Sequence, residues 1–243
     1  MLKPSLEKVK ALAKQYNTIP VFYEFSADNQ TPLNIYTALS KDSRNSFILE
    51  SVSNGVQWDR YSFVGVSPKE EICITGNTAE IRTGDKIETK EVEQPIAFLK
   101  ERMAAYRSPV LEGAPNFTGG LIGYFGYDTV RYMEKKLTHV PEDDIHMPDC
   151  HLFLYEELLA YDHLTSNGIV ILNLHTDGDL GAQYAAAQWR AEELADIVRH
   201  YNPQPQVRQH HGEAVVRSNL TKEQYSQMVR DAKEYIRNGD IFQ

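Results

Sequence analysis

The chain has 243 residues, 42% of them hydrophobic and 24% charged, and a formal net charge of -9. That length builds one large domain or two small ones whose core stands without disulfides or metals, and the composition is that of a soluble globular protein. The acidic balance, with no Lys/Arg run longer than Lys135-Lys136, argues against nucleic acid as a partner.

Met1–Tyr16 is broken by lysines and glutamate, so it lacks the apolar run of a signal peptide. No stretch reaches the roughly 18 apolar residues of a membrane span. No membrane association is expected, and the cytoplasm is the expected location. Residues 5–16 predict a short amphipathic helix with Ser5 as N-cap and Leu6, Val9 and Ala13 on one face. Residues 20–25 predict a strand. Thr31-Pro32 opens a helix over 32–40, with proline at the first helical position. Phe47–Val52 and Arg60–Val66 predict strands flanking a turn at Asn54-Gly55. Ile72–Thr75, Ala79–Arg82 and Lys86–Val92 follow, punctuated by Gly76-Asn77 and Gly84-Asp85. Such tight turns join only antiparallel neighbours, so the whole stretch predicts one antiparallel meander.

Pro95 starts a helix to about Tyr106. Residues 118–126 predict a glycine-rich strand, 127–133 a helical turn and 135–149 a polar loop. Strands over 151–162 and 168–175 precede a helix over 180–200. Residues 202–218 are polar and proline-bearing without a period, and they mark a linker or exposed loop. Thr221–Gln224 is a capping box opening a helix over 222–238. Its apolar face carries Tyr225, Met228, Ala232, Tyr235 and Ile236, and Gly239 caps its end. The final Asp240–Gln243 launches an apolar strand and stops, from which a truncated chain is expected. Cys73 and Cys150 fit no metal spacing. Two reduced thiols are expected, a single disulfide being the alternative.

The hairpin at 47–65 is the first candidate for chemistry. Strand alternation puts Phe47, Leu49 and Ser51 on one face and Ile48, Glu50 and Val52 on the other. Trp58 is in the turn, and Arg60, Tyr61, Ser62 and Phe63 lie across it. An amino-acid ligand needs an acceptor for its ammonium, donors for its carboxylate and an apolar slot. Glu50, Ser51, Arg60 and nearby backbone N–H groups meet those needs. From the residues alone, an ordinary half-buried hairpin with a surface Glu–Arg pair is the simpler account, since pockets are few per protein. The second candidate, Phe117–Met133, is rich in glycine but lacks phosphate-cradle spacing, which favours close backbone approach over ligand contact. Gly65 and Pro68 are shape rather than chemistry. None of the eight histidines forms HExxH. The acidic pieces at 143–146 and 177–179 lack calcium-loop spacing and predict solvated turns. No catalytic or metal-ligating residue is assigned.

Together these motifs resemble anthranilate synthase component I. Leu49-Glu50-Ser51 followed by Arg60-Tyr61-Ser62-Phe63-Val64-Gly65 is similar to the family's LLES…RYSFIG segment. The PxFTGGxxGYxxYD pattern begins at Pro115 and ends at Asp128, and Thr221–Gln243 resembles the opening of the chorismate-binding domain. The resemblance implies an α+β fold in which antiparallel sheets pack together with helices outside, the N-terminal part of the chorismate-utilising fold. It implies an N-terminal helix at 1–19, a regulatory domain at 20–201, the linker at 202–218 and the start of a catalytic domain at 219–243.

By the same resemblance, Leu49, Glu50, Ser51, Arg60, Tyr61, Ser62 and Phe63 line a feedback site for L-tryptophan, with Ser51 foremost. The complete enzyme would convert chorismate and ammonia to anthranilate and pyruvate. Its ammonia would come from glutamine through an amidotransferase subunit, component II. The Mg2+ ligands and catalytic groups would lie beyond Gln243, so this chain alone is expected to be inactive and to bind tryptophan weakly. Two other functions compete with this one. The first is aminodeoxychorismate synthase component I of the folate pathway. The second is a non-catalytic module that binds tryptophan or docks the amidotransferase.

Overall fold

The computed structural model describes residues 1–50, 60–134, 136–140, 142–203, 212 and 215–243. The chain divides into two compact units, Met1–Pro203 and Gln204–Gln243. In chain order the first unit holds α1 (Leu6–Leu12), β1 (Thr18–Ser26), α2 (Pro32–Leu39) and a 3-10 turn at Ser40–Asp42. It continues with β2 (Ser46–Leu49), β3 (Tyr61–Val66), β4 (Glu70–Thr75), β5 (Thr78–Thr83), β6 (Lys86–Glu91) and α3 (Pro95–Ala104). β7 (Gly120–Phe125), a 3-10 turn at Tyr127–Tyr132, β8 (Cys150–Tyr155), β9 (Glu157–Asp162), β10 (Asn167–His175) and α4 (Leu180–Arg199) complete it. The second unit holds α5 (Lys222–Asn238).

The strands form two antiparallel five-stranded sheets, ordered β1-β10-β9-β3-β2 and β6-β5-β4-β8-β7. Residue alternation assigns each face. Ile19, Val21, Val64, Leu159, Val170 and Leu172 turn one face of the first sheet toward Val9, Ile35 and Leu194 of the helices. Its other face carries Phe22, Phe63, Leu158, Ala160, Ile169 and Ile171, which meet Tyr155, Ile122 and Phe153 of the second sheet. Ile72, Ile74 and Leu152 of the second sheet pack on Leu99 of α3. The expected α+β arrangement, sheets packed together with helices outside, is the one found.

Two expectations are corrected. The meander is not continuous: the chain leaves the first sheet after β3, turns at Ser67 with φ 51°, and begins the second sheet at β4. The single strand at 151–162 is two, β8 and β9, joined by Glu156 alone and belonging to different sheets. Its sequence is apolar at both parities there, with Leu154 and Tyr155 both buried, so no change of period marks the crossing. Asn173 holds the corner, since its backbone N–H and its side-chain amide both donate to the Glu156 carbonyl, at 3.2 and 3.0 Å. The two crossings are tied to each other by Lys69 Nζ, which donates to Glu156 Oε1 at 2.8 Å. His175 Nε2 lies 2.9 Å from the same carboxylate.

Both cysteines are free thiols. Cys73 pairs with His151 while Cys150 pairs with Ile74, so the two side chains leave opposite faces of the sheet and cannot be bridged. In the second unit, α5 has the predicted capping box, with Thr221 Oγ1 accepting from Gln224 N. Its C-cap Gly239 is left-handed at φ 80°.

Candidate functional site

The predicted site residues that are described fall on or beside β2 and β3, at one side of the first sheet. β2 ends the sheet order among the described strands, and it pairs antiparallel with β3 so that Leu49 stands opposite Phe63. The same alternation that buries Phe63 among Phe22, Leu158 and Ile171 turns Tyr61, Leu49 and Phe47 toward that side. Ser62 points to the other. Leu49 is nonetheless 45% exposed, which leaves an apolar position open at the end of β2. Glu50 follows it and is exposed. Ser51 and Trp58 lie outside the described residues.

The aromatic wall extends beyond the hairpin. The Tyr61 and Phe63 rings are 6.2 Å apart, and Phe63 meets Phe117 edge-on at 5.5 Å. Phe117 opens the glycine-rich segment, so two motifs that stand far apart in sequence share one apolar surface. Phe47 meets Tyr155 edge-on at 4.7 Å. Gly65 makes this possible, because a Cβ there would overlap the Phe47 ring. The glycine of the RYSFVG-type motif is therefore a packing requirement, as its reading as shape implied.

Arg60 is committed to a partner that the sequence did not reveal. Its Nε and Nη2 donate to Asp162 Oδ1 and Oδ2 at 3.0 and 2.7 Å. Asp162 is 2% exposed, and Leu164 N also donates to it at 3.0 Å. Burial alone would push this carboxyl up. The Arg60 hydrogen bonds, the Leu164 N–H, the Thr165 side chain and the Arg60 charge outweigh burial and hold it below the ordinary carboxylate range. The guanidinium also lies 4.9 Å from the centre of the Tyr61 ring. Two of its five N–H groups serve Asp162, which leaves others able to reach a ligand carboxylate.

Ser62 Oγ is 2.8 Å from His163 Nε2. The pair has the spacing of a nucleophile and its base, but Ser62 is 1% exposed, so no substrate reaches it. The signal for Asp162 is local and weak: an aspartate whose carboxylate accepts from the N–H two residues on, a common turn device. Nothing in that turn indicates a partner about a hundred residues earlier in the chain.

The resemblance implies Mg2+. Among the described residues, no three or more His, Cys, Asp or Glu side chains gather to hold a metal ion. No step is therefore routed through magnesium on this chain. Among the described residues, no helix is long and apolar enough to cross a membrane.

Comparison with known proteins gives a consistent set of relatives. The family described as chorismate binding enzyme matches residues 47–243. The chain is 37% identical over 255 residues to anthranilate synthase component 1 of Acetivibrio thermocellus, covering 100% of this chain and 50% of that protein. It is 36% identical over 249 residues to the protein of the same name from Pseudomonas aeruginosa, covering 98% and 49%. Among solved structures, it is similar to anthranilate synthase component I from Streptococcus pneumoniae TIGR4, with a TM-score of 0.50 at 25% identity over 87% of this chain and 44% of that one. The chain thus spans about half the length of the curated relatives it matches.

Proposed function

Since the chain belongs to the chorismate binding enzyme family, we propose that it is the tryptophan-sensing part of an anthranilate synthase component I. The complete protein would convert chorismate and ammonia into anthranilate and pyruvate in the cytoplasm, as a step of tryptophan biosynthesis. The ammonia would be drawn from glutamine by an amidotransferase partner. Magnesium, held by residues other than those described here, would supply Lewis-acid chemistry at the substrate.

The observation that carries the reading is the end of β2. There an exposed apolar residue, Leu49, stands opposite Phe63, an exposed carboxylate follows at Glu50, and Arg60 lies across the hairpin. An amino acid with a large apolar side chain has a use for each. Its ring would lie on the Leu49–Phe63 surface, its ammonium at Glu50, and its carboxylate at the unused Arg60 donors and the Ser51 hydroxyl. Tyr61 completes the wall, while Ser62, buried on the opposite face of β3, would act only from behind it. The Arg60–Asp162 pair would act mainly by holding β3 in place, since the aspartate already takes two of its N–H groups.

The test is Ser51→Phe in the full-length protein that contains this chain. The bulky ring is expected to abolish inhibition by tryptophan while leaving anthranilate formation within about threefold of the parent, a change of under about 1 kcal/mol. Unchanged inhibition would remove the site assignment. An aminodeoxychorismate product, which retains its enolpyruvyl group, in place of anthranilate and pyruvate would remove the activity.

A further inference from the structure

The apolar surface behind the hairpin has a second contributor. Leu111, Ala114 and Phe117, from the loop that precedes β7, pack on the same face of the first sheet as Phe63. That loop is held in place at two points. Pro115 is buried within it, and the Thr118 carbonyl accepts from Asn173 Nδ2 at 2.7 Å. Phe117 itself stays partly exposed. A ring positioned before a ligand arrives loses little freedom when one binds.

Four side chains then follow in order. The Arg60 guanidinium lies 4.9 Å from the centre of the Tyr61 ring, Tyr61 lies 6.2 Å from Phe63, and Phe63 lies 5.5 Å from Phe117. The row begins at a cation and ends in aromatic carbon. Arg60 and Phe63 are three residues apart on extended backbone, a reach of about 10 Å. An amino acid whose carboxylate sits at Arg60 lays its side chain along this row, and only a broad ring extends past Phe63 to the far end. Leu49, opposite Phe63 and 45% exposed, lies beside that path.

Resting on the tryptophan-sensing reading above, we propose that Phe117 determines the ring size the site accepts. It touches the distal part of an indole and is out of reach of a single phenyl ring. Aromatic pairs gain from edge-on or offset contact beyond the area they bury, so a ring at this position favours the larger effector. Leucine there would keep apolar surface and lose that contact.

The experiment is inhibition of anthranilate formation by tryptophan and by phenylalanine in the full-length protein that contains this chain. Parent, Phe117→Leu, Phe117→Tyr and Val110→Ala are compared. The readout is the ratio of the two inhibition constants. Both are measured on the same variant, so a loss of folded protein or of turnover leaves the ratio unmoved. Phe117→Leu is expected to weaken inhibition by tryptophan about tenfold and by phenylalanine less than about threefold. Phe117→Tyr, which restores the ring, and Val110→Ala, at a fully exposed position of the same loop, are expected to keep the parent ratio. An unchanged ratio in Phe117→Leu, or an equal change in Val110→Ala, would overturn the role of Phe117. If Ser51→Phe relieves inhibition in the same series, the site survives that result and only its ring selection is lost. If Ser51→Phe leaves inhibition unchanged, the site assignment fails and the role of Phe117 with it.

Discussion

At Asp162, donors from two segments converge on a carboxyl group whose pKa burial alone would raise. Because its pKa in the folded chain is lowered, the stabilisation is present above the unfolded value of about 3.9. It is lost as pH falls through the folded value. Asp162→Asn should therefore destabilise the chain at pH 7 by about 2 kcal/mol in urea unfolding. The difference from the parent should shrink steadily as the pH is taken from about 4 downward. A difference that stayed constant with pH would mean that the carboxylate charge contributes nothing. The strand positions of Leu49 and Phe63 were legible from alternation, whereas the choice of Leu49, Glu50 and Arg60 as a candidate site came from the resemblance. The partner of Arg60 was not legible. A carboxylate about a hundred residues on is brought near only by the β3–β9 pairing, which no local pattern encodes.

Among the elements, β7 depends most on a single atom that is missing. Gly123 lies so close to the His151 carbonyl of β8 that a Cβ would overlap the backbone, and backbone cannot give way as a side-chain tip can. Gly123→Ala should destabilise the chain by about 2 kcal/mol and raise amide exchange in β7 and β8 before the rest of the sheet. Wild-type protection in those strands would contradict this. The glycines of this segment were legible as close backbone approach. So were the helix ends, since Thr31, Thr221 and Gly239 act as the caps their chemistry predicts. The division into two sheets was not legible. At Ser67 the crossing uses a left-handed non-glycine residue, and at Glu156 a single residue inside an apolar run, so neither interrupts the pattern that defines a strand.

Across the first unit, the sheets are joined at two crossings, and the Lys69–Glu156 pair ties one crossing to the other. With side chains 41% and 19% exposed, the pair is partly screened. Glu156→Gln should cost about 1 kcal/mol in overall stability. Its clearer effect should be local: faster exchange of amides at the start of β4 and the β8–β9 junction, with β5 and β6 unchanged. Uniform acceleration through both sheets would mean that the crossing ties hold nothing in particular.

The position of β1 has a consequence for how the chain comes to be made. β1 precedes the other described strands in the chain, it is largely buried, and its sole neighbour in the sheet order is β10. Its register partners lie about 150 residues later, which at ribosomal speed is roughly 8 to 30 seconds of synthesis. For that interval an apolar strand waits for a partner that does not yet exist, exposed to neighbouring nascent chains. The order of synthesis thus opposes the order of pairing, and chaperone cover over β1 would matter most before β10 emerges.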